Sequence, residues 1–224
     1  LVVEEKADFG IVVDPDVDRL ALVCEDGSMF GEEYTLVAVS DFVLSKNPGN
    51  TVSNLSSTRA LRDVTIKHNG SYVASSVGEV NVVEKMKETN AIIGGEGNGG
   101  IIYPELHYGR DALVGIALFL TQLAERKISA KTLRDSYPNY FISKNKIQLT
   151  TEIDVDNILS TLEEKYNEEQ ITTIDGLKID FEDGWVHLRK SNTEPIIRIY
   201  AESEGEEKAN GFAEKMINEI KELI

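Results

Sequence analysis

The sequence predicts an α/β layered segment followed by an α+β segment, and three observations carry that prediction. Between residues 29 and 138, short apolar strands alternate with helical stretches, the rhythm of helices layered on a sheet. Between residues 139 and 224 the rhythm changes to strand, helix, three strands in succession and a closing amphipathic helix. Residues 1–28 hold only two strands, too few for a domain, and the first residue is Leu1 rather than Met. They read as the end of a domain that lies upstream.

Each element has a local reason. Residues 8–13 form an apolar strand ending at Asp14, residues 20–24 a second, and Glu25-Asp26-Gly27-Ser28 a turn. Helical periodicity over 32–46 stops at the breaker Asn47-Pro48-Gly49-Asn50. Strand 51–55 follows, then a helix capped by Ser57, running to about residue 69 and ended by Gly70. Strand 72–76, helix 80–89 and strand 91–94 lead into a glycine cluster, and 101–103 is extended again. Residues 110–127 are apolar enough to predict a largely buried helix. In the last segment, strand 141–149 precedes helix 154–167, and strands follow at 171–181, 184–189 and 196–203. Asp183-Gly184 is a hairpin signal, and helix 206–223 places Phe212, Met216, Ile220 and Leu223 on one face.

Composition narrows the partners. The net charge of −16, from 23 Lys+Arg against 39 Asp+Glu, argues against nucleic acid and anionic membrane, which call for a basic face. An anionic small molecule needs only a few local cations and stays open. The lone Cys24 forms no internal disulfide and fits a reducing cytoplasm. The longest apolar run, residues 112–120, is too short to span a bilayer.

Three motifs carry chemistry. In Asp14-Pro15-Asp16-Val17-Asp18-Arg19, three carboxylates alternate in a loop between two strands, so they sit either in open solvent or around a hard divalent cation. An EF-hand loop fits poorly, because Arg19 stands where the sharp turn needs glycine and the flanks are strands. An arginine beside a cation makes sense where an anion such as phosphate is shared between them. In Gly94-Gly95-Glu96-Gly97-Asn98-Gly99-Gly100 the dinucleotide pattern is formally present, yet Ile101-Ile102-Tyr103-Pro104 follows where a helix is required. What remains is a loop displaying Glu96 and Asn98 to sugar hydroxyls, or a glycine hairpin with no ligand. Arg189-Lys190-Ser191-Asn192-Thr193-Glu194-Pro195, with Arg198 beyond it, is either a phosphate cradle or a polar loop satisfying its own backbone. Of the histidines, His187 lies in a strand pattern and reads as structural, while His107 lies in an irregular stretch from which a ligand is within reach.

In this order, the three motifs resemble the C-terminal half of the α-D-phosphohexomutases, the family of phosphoglucomutase, phosphomannomutase and phosphoglucosamine mutase, and the resemblance covers essentially all 224 residues. It implies three parts: residues 1–28 as the end of domain 2, residues 29–138 as the α/β domain 3, and residues 139–224 as a TATA-binding-protein-like domain 4. It also implies a phosphoryl transfer between O1 and O6 of a hexose, through a sugar bisphosphate such as glucose 1,6-bisphosphate, from a phosphoserine carried upstream. Asp14, Asp16 and Asp18 are then the ligands of Mg²⁺, with Arg19 beside the reacting phosphate. Glu96 and Asn98 grip the sugar, while Arg189, Ser191, Asn192, Thr193 and Arg198 hold the non-reacting phosphate. The nucleophilic serine is not in this sequence, so the expected partners are a phosphosugar and the missing N-terminal domains, and the chain alone is expected to be inactive. Many relatives have serine at Asn98 and histidine at Gly100, and some have histidine at Glu79 and lysine at Ser56. The glycine-rich variant leans toward phosphomannomutase and phosphoglucosamine mutase. A stand-alone sugar-phosphate-binding module without catalysis is the alternative.

Overall fold

A short helix, α1 (Val2–Glu5), precedes strands β1 (Phe9–Val13) and β2 (Leu20–Cys24), which pair antiparallel from Phe9↔Cys24 to Val13↔Leu20. The aspartate loop therefore closes a hairpin. Sequence periodicity gave no sign of α1, which is a single turn and too short to show one. In β2, Leu20, Leu22 and Cys24 are buried, the alternation of a strand with one face in a core.

The computed structural model describes residues 1–149, 153–191 and 194–224, which divide into the units Leu1–Pro138 and Asn139–Ile224. In the first unit α2 (Glu32–Lys46), β3 (Asn50–Asn54), α3 (Ala60–Lys67), β4 (Tyr72–Ser75), α4 (Glu79–Thr89), β5 (Ala91–Glu96), β6 (Gly100–Ile102), α5 (Ala112–Arg126) and α6 (Ala130–Asp135) follow in turn. Their sheet has the order β4-β3-β5-β6, with the first three strands parallel and β6 antiparallel. Helix α4 covers a core of Val52, Val82, Met86, Ala91 and Ile102. Helix α2 is buried at every residue from Tyr34 to Leu44, and packs on α3 and α5.

One polar cluster lies among these helices. Asp41 of α2, 1% exposed, accepts hydrogen bonds from Arg126 (2.6 Å) and Tyr137 (3.1 Å), meets His68 Nε2 at 2.8 Å and lies 3.7 Å from Lys67. Burial pushes the Asp41 carboxyl up, but His68, Arg126 and Lys67 together outweigh it and hold the group below its ordinary range.

Two expectations for this unit fail on packing. Ser57 does not cap α3. The position before that helix is Arg59, and Ser57 Oγ instead donates to Asn54 Oδ1 and accepts from the amide of Gly97. Helix α5 is not largely buried: only Ala112, Gly115, Phe119 and Gln122 are, while Leu113 is 64% exposed and Leu120 43%. Its cap is Asp111, whose carboxylate accepts from the amides of Leu113 and Val114.

The second unit comprises β7 (Phe141–Gln148), α7 (Val155–Lys165), β8 (Gln170–Thr172), β9 (Leu177–Phe181), β10 (Gly184–Lys190), β11 (Ile196–Ser203) and α8 (Glu206–Glu222). The five strands form one antiparallel sheet in the order β7-β11-β10-β9-β8. Residues 171–181, expected as one strand, are two strands of a hairpin, turned where Gly176 takes φ +73°. One sheet face, with Ile147, Ile179, Val186, Leu188, Ile197 and Ile199, forms a core with Ile158 and Leu162 of α7 and Met216 and Ile220 of α8. Phe212 packs at its margin, whereas Leu223 is past the end of α8 and 43% exposed, off the expected face. His187 is buried and donates from Nε2 to the Asp175 carbonyl at 2.7 Å, and burial pushes its pKa down to about 4. It is a neutral structural histidine at pH 7.

Candidate functional site

The parallel strands β3 and β5 end side by side at Asn54 and Glu96, and the carboxyl ends of such strands are where α/β sheets place ligands. Glu96 is 5% exposed. Its Oε1 accepts from Asn54 Nδ2 (2.9 Å) and the Gly78 amide (3.3 Å), and its Oε2 from Arg110 (2.8 Å). The turn beyond it is packed against β2. Gly99 has φ +84°, and a Cβ there would lie 2.2 Å from the Leu20 carbonyl oxygen, so only glycine fits. The Leu20 amide donates to Gly99 at 3.0 Å, so the glycine loop and the aspartate loop share a backbone seam. Asn98 is spent partly on local structure, since its Oδ1 accepts from the Gly100 amide at 3.2 Å.

The aspartate loop is wound tightly. Asp14 Oδ1 accepts from the amides of Asp18 (3.2 Å) and Arg19 (3.3 Å), and the Val17 amide donates to the Asp14 carbonyl (3.0 Å). Val17 has φ +56°, a left-handed conformation that a β-branched residue rarely takes. Its carbonyl is held by the Ala112 amide at the start of α5, at 3.0 Å. Arg19 Nε lies 3.8 Å from Asp14 and 4.0 Å from Asp18. Asp18 is also ion-paired with Arg110. The two carboxylates titrate in opposite senses. Desolvation and then the hydrogen bond shared with Asp14 push Asp18 up, against Arg110 and Arg19. Asp14 is pushed up by desolvation but drawn down further by its hydrogen bonds from Asp18 and Arg19. Asp16 is exposed. Among the described residues, no three acidic, histidine or cysteine side chains are gathered closely enough to hold a metal ion. The donors themselves are all carboxylate oxygens on one loop, the chemistry that suits a hard divalent cation.

The third motif lies in the second unit, at the turn between β10 and β11. Arg189 faces Arg198 across the strands, and Arg198 faces Lys146 of β7. Directly opposed residues share a sheet face, so three cations stand abreast. Asp175 binds Arg189 at 3.0 Å. The Ser191 amide donates to the Ile196 carbonyl at 3.0 Å, closing the turn. Asn192 and Thr193 lie outside the described residues. Within its own unit, then, the structure brings together Asp14, Asp18, Arg19 and Glu96 in one and Arg189 and Arg198 in the other.

Residues 31–140 match the profile of the phosphoglucomutase/phosphomannomutase alpha/beta/alpha domain III, and residues 146–219 match that of the phosphoglucomutase/phosphomannomutase C-terminal domain. The chain belongs to the phosphoglucomutase/phosphomannomutase family. It is 37% identical over 221 residues to a phosphoglucomutase/phosphomannomutase of Thermococcus kodakarensis, covering 97% of this chain and 48% of that protein. It is 34% identical over 224 residues to a phosphoglucosamine/phosphogalactosamine mutase of Sulfurisphaera tokodaii, covering 98% and 48%. A crystal structure of a phosphoglucomutase/phosphomannomutase family protein from Burkholderia thailandensis superposes with a TM-score of 0.83 at 25% identity, over 98% of this chain and 48% of that one. The chain thus spans about half the length of the curated relatives it matches, and it is the C-terminal half of the family's architecture. The α/β unit followed by an α+β unit is the fold expected.

Sequence reasoning missed Arg110. Its side chain, 14% exposed, reaches Asp18, Glu79 (3.3 Å) and Glu96 (2.8 Å), and its own amide donates to Glu79 Oε1 at 3.0 Å. One signal was available: a cation just ahead of a helix opposes the helix dipole and needs anions beside it. His107, by contrast, is taken up by Asp111 at 3.0 Å.

Proposed function

We propose that this chain is the C-terminal half of a magnesium-dependent phosphohexomutase, an isomerase that exchanges hexose 1-phosphate and 6-phosphate through a sugar bisphosphate. The observation that carries this reading is the seam joining the aspartate and glycine loops at Leu20 and Gly99, in a chain of this family. It puts a cation-suited loop beside a sugar-suited one. Bound at Asp14, Asp16 and Asp18, Mg²⁺ would neutralise charge on a departing phosphoryl group. Arg19 draws the reacting phosphate to that loop. Glu96 is oriented by Asn54 and Gly78, and its Oε2 keeps acceptor capacity for a sugar hydroxyl alongside Asn98. Arg189 and Arg198, with Ser191, Asn192 and Thr193, take the phosphate that does not react, whose charge relieves the repulsion along the cation row. A phosphoserine from an upstream half supplies the transferred group, and phosphosugar substrates and a free, buried Cys24 support a cytoplasmic location.

The test is a substrate panel on the full-length protein, with the 1- and 6-phosphates of mannose, glucose and glucosamine. Interconversion of at least one pair, dependent on Mg²⁺, is expected, with mannose or glucosamine favoured. Binding of these phosphosugars without turnover would support a non-catalytic binding module instead.

A further inference from the structure

We infer that Arg110 is a positioning residue that couples cation binding at the aspartate loop to sugar recognition at the glycine loop. The inference rests on the function proposed above and adds to it a residue and a linkage. Arg110 stands just ahead of α5, and its guanidinium lies within ion-pair range of three different carboxylates. One terminal nitrogen is ion-paired with Asp18 of the aspartate loop and the other donates to Glu96 at the end of β5, while Nε lies 3.3 Å from Glu79 at the start of α4, in ion-pair range but without a hydrogen bond. The fork is planar and permanently charged, so it cannot follow one partner without turning away from the others. Its backbone is fixed as well, by the hydrogen bond its amide donates to Glu79 Oε1 and by Asp111, whose amide donates to the Ile101 carbonyl at 2.8 Å.

Two consequences follow from the charges. Three carboxylates around one guanidinium leave an acidic surplus, which a divalent cation at Asp18 removes. That cation must compete with Arg110 for Asp18, because both take the same carboxylate. When Asp18 changes partner, Arg110 is left to Glu79 and Glu96, and Glu96 is the sugar-facing acceptor. Occupancy of one loop is thereby felt at the other.

Arg110→Met, which keeps the stem and deletes the fork, separates this role from simple support of the fold. Mn²⁺ is the probe for the aspartate loop and glucose 6-phosphate, without metal, the probe for the sugar side, each titrated by calorimetry on this chain. The expected result has opposite signs: Mn²⁺ binds roughly tenfold tighter, and glucose 6-phosphate roughly tenfold weaker, each the worth of about one charge-assisted hydrogen bond. Arg110→Lys, a charge without a fork, is expected to restore Mn²⁺ affinity to the wild-type level and to leave the sugar side weak. A residue that only supports the fold would weaken both ligands together, and that outcome, or no change in either, overturns the inference while wild-type binding keeps the proposed function standing. Failure of the wild-type chain to bind Mn²⁺ overturns both.

Discussion

The surroundings of Arg110 and of Arg189 are charge sets unbalanced in opposite directions. Around Arg110, three carboxylates from three elements share one guanidinium. Around Arg189, a row of three cations on adjacent strands is met by the Asp175 carboxylate. A chain with a net charge of −16 has acid to spare everywhere, so the basic row in the second unit is the more telling of the two. Folding alone gives no reason to line up Lys146, Arg198 and Arg189, since directly opposed like charges destabilise a sheet. On the proposed function, the first set would take a cation and the second an anion.

A carboxylate committed to the fold provides the contrast, and breaking its contacts has the largest expected effect. Asp41 is buried, with partners at the end of α3, on α5 and in the segment after α6. Asp41→Ala should cost about 3 kcal/mol of stability, because it strands the buried Tyr137 hydroxyl and takes the carboxylate from the largely buried His68 and the partly buried Arg126. Urea unfolding checks it. The pH dependence has a definite sign. A carboxyl held below its ordinary value of 3.8 contributes fully above that pH, and its contribution is lost as acid carries the pH down through the folded value. The variant should therefore lose its stability deficit in strong acid; an equal deficit at every pH would place the effect in packing instead.

The basic row should respond the other way. Arg189→Ala removes an ion pair with Asp175 but also a like charge beside Arg198, so stability should move by no more than about 0.5 kcal/mol. Binding of glucose 6-phosphate should fall by about 2 kcal/mol, the worth of a charge-assisted contact to phosphate. A variant that unfolds more easily yet binds as before would turn this arginine into a structural residue and remove the contrast.

How much of this was legible follows from what each signal depends on. The strands around the aspartate loop and helix α2 were read correctly because their patterns are local. Ser57 was misread because a serine before a helix resembles a cap whether or not its hydroxyl has a competing partner, here Asn54 and Gly97. The apolar run of α5 says that the helix shuns water but not what lies against it, and Leu113 remains exposed. The candidate ligands of the site were visible as motifs. Their holders were not, because Asn54, Gly78 and Arg110 reach Glu96 across 42, 18 and 14 residues of chain.

The smallest expected effect concerns how the acidic surplus is held in place. Val17 sits between Asp16 and Asp18 in a left-handed conformation that costs a β-branched residue of order 1–2 kcal/mol. That strain is sustained by the Ala112 amide on the Val17 carbonyl and by the Val17 amide on Asp14. Glycine takes the same conformation freely but brings a more flexible unfolded chain, which offsets part of the gain. Val17→Gly should therefore raise stability by about 0.5 kcal/mol, measured by urea unfolding. Mn²⁺ affinity should fall by roughly twofold to threefold, because a loop free to open spends more of the binding energy on ordering its carboxylates. Stability gained and affinity lost together would show that the strain serves the carboxylates rather than the fold. A loss of both would mean that the packing of the half-buried valine outweighs its backbone strain.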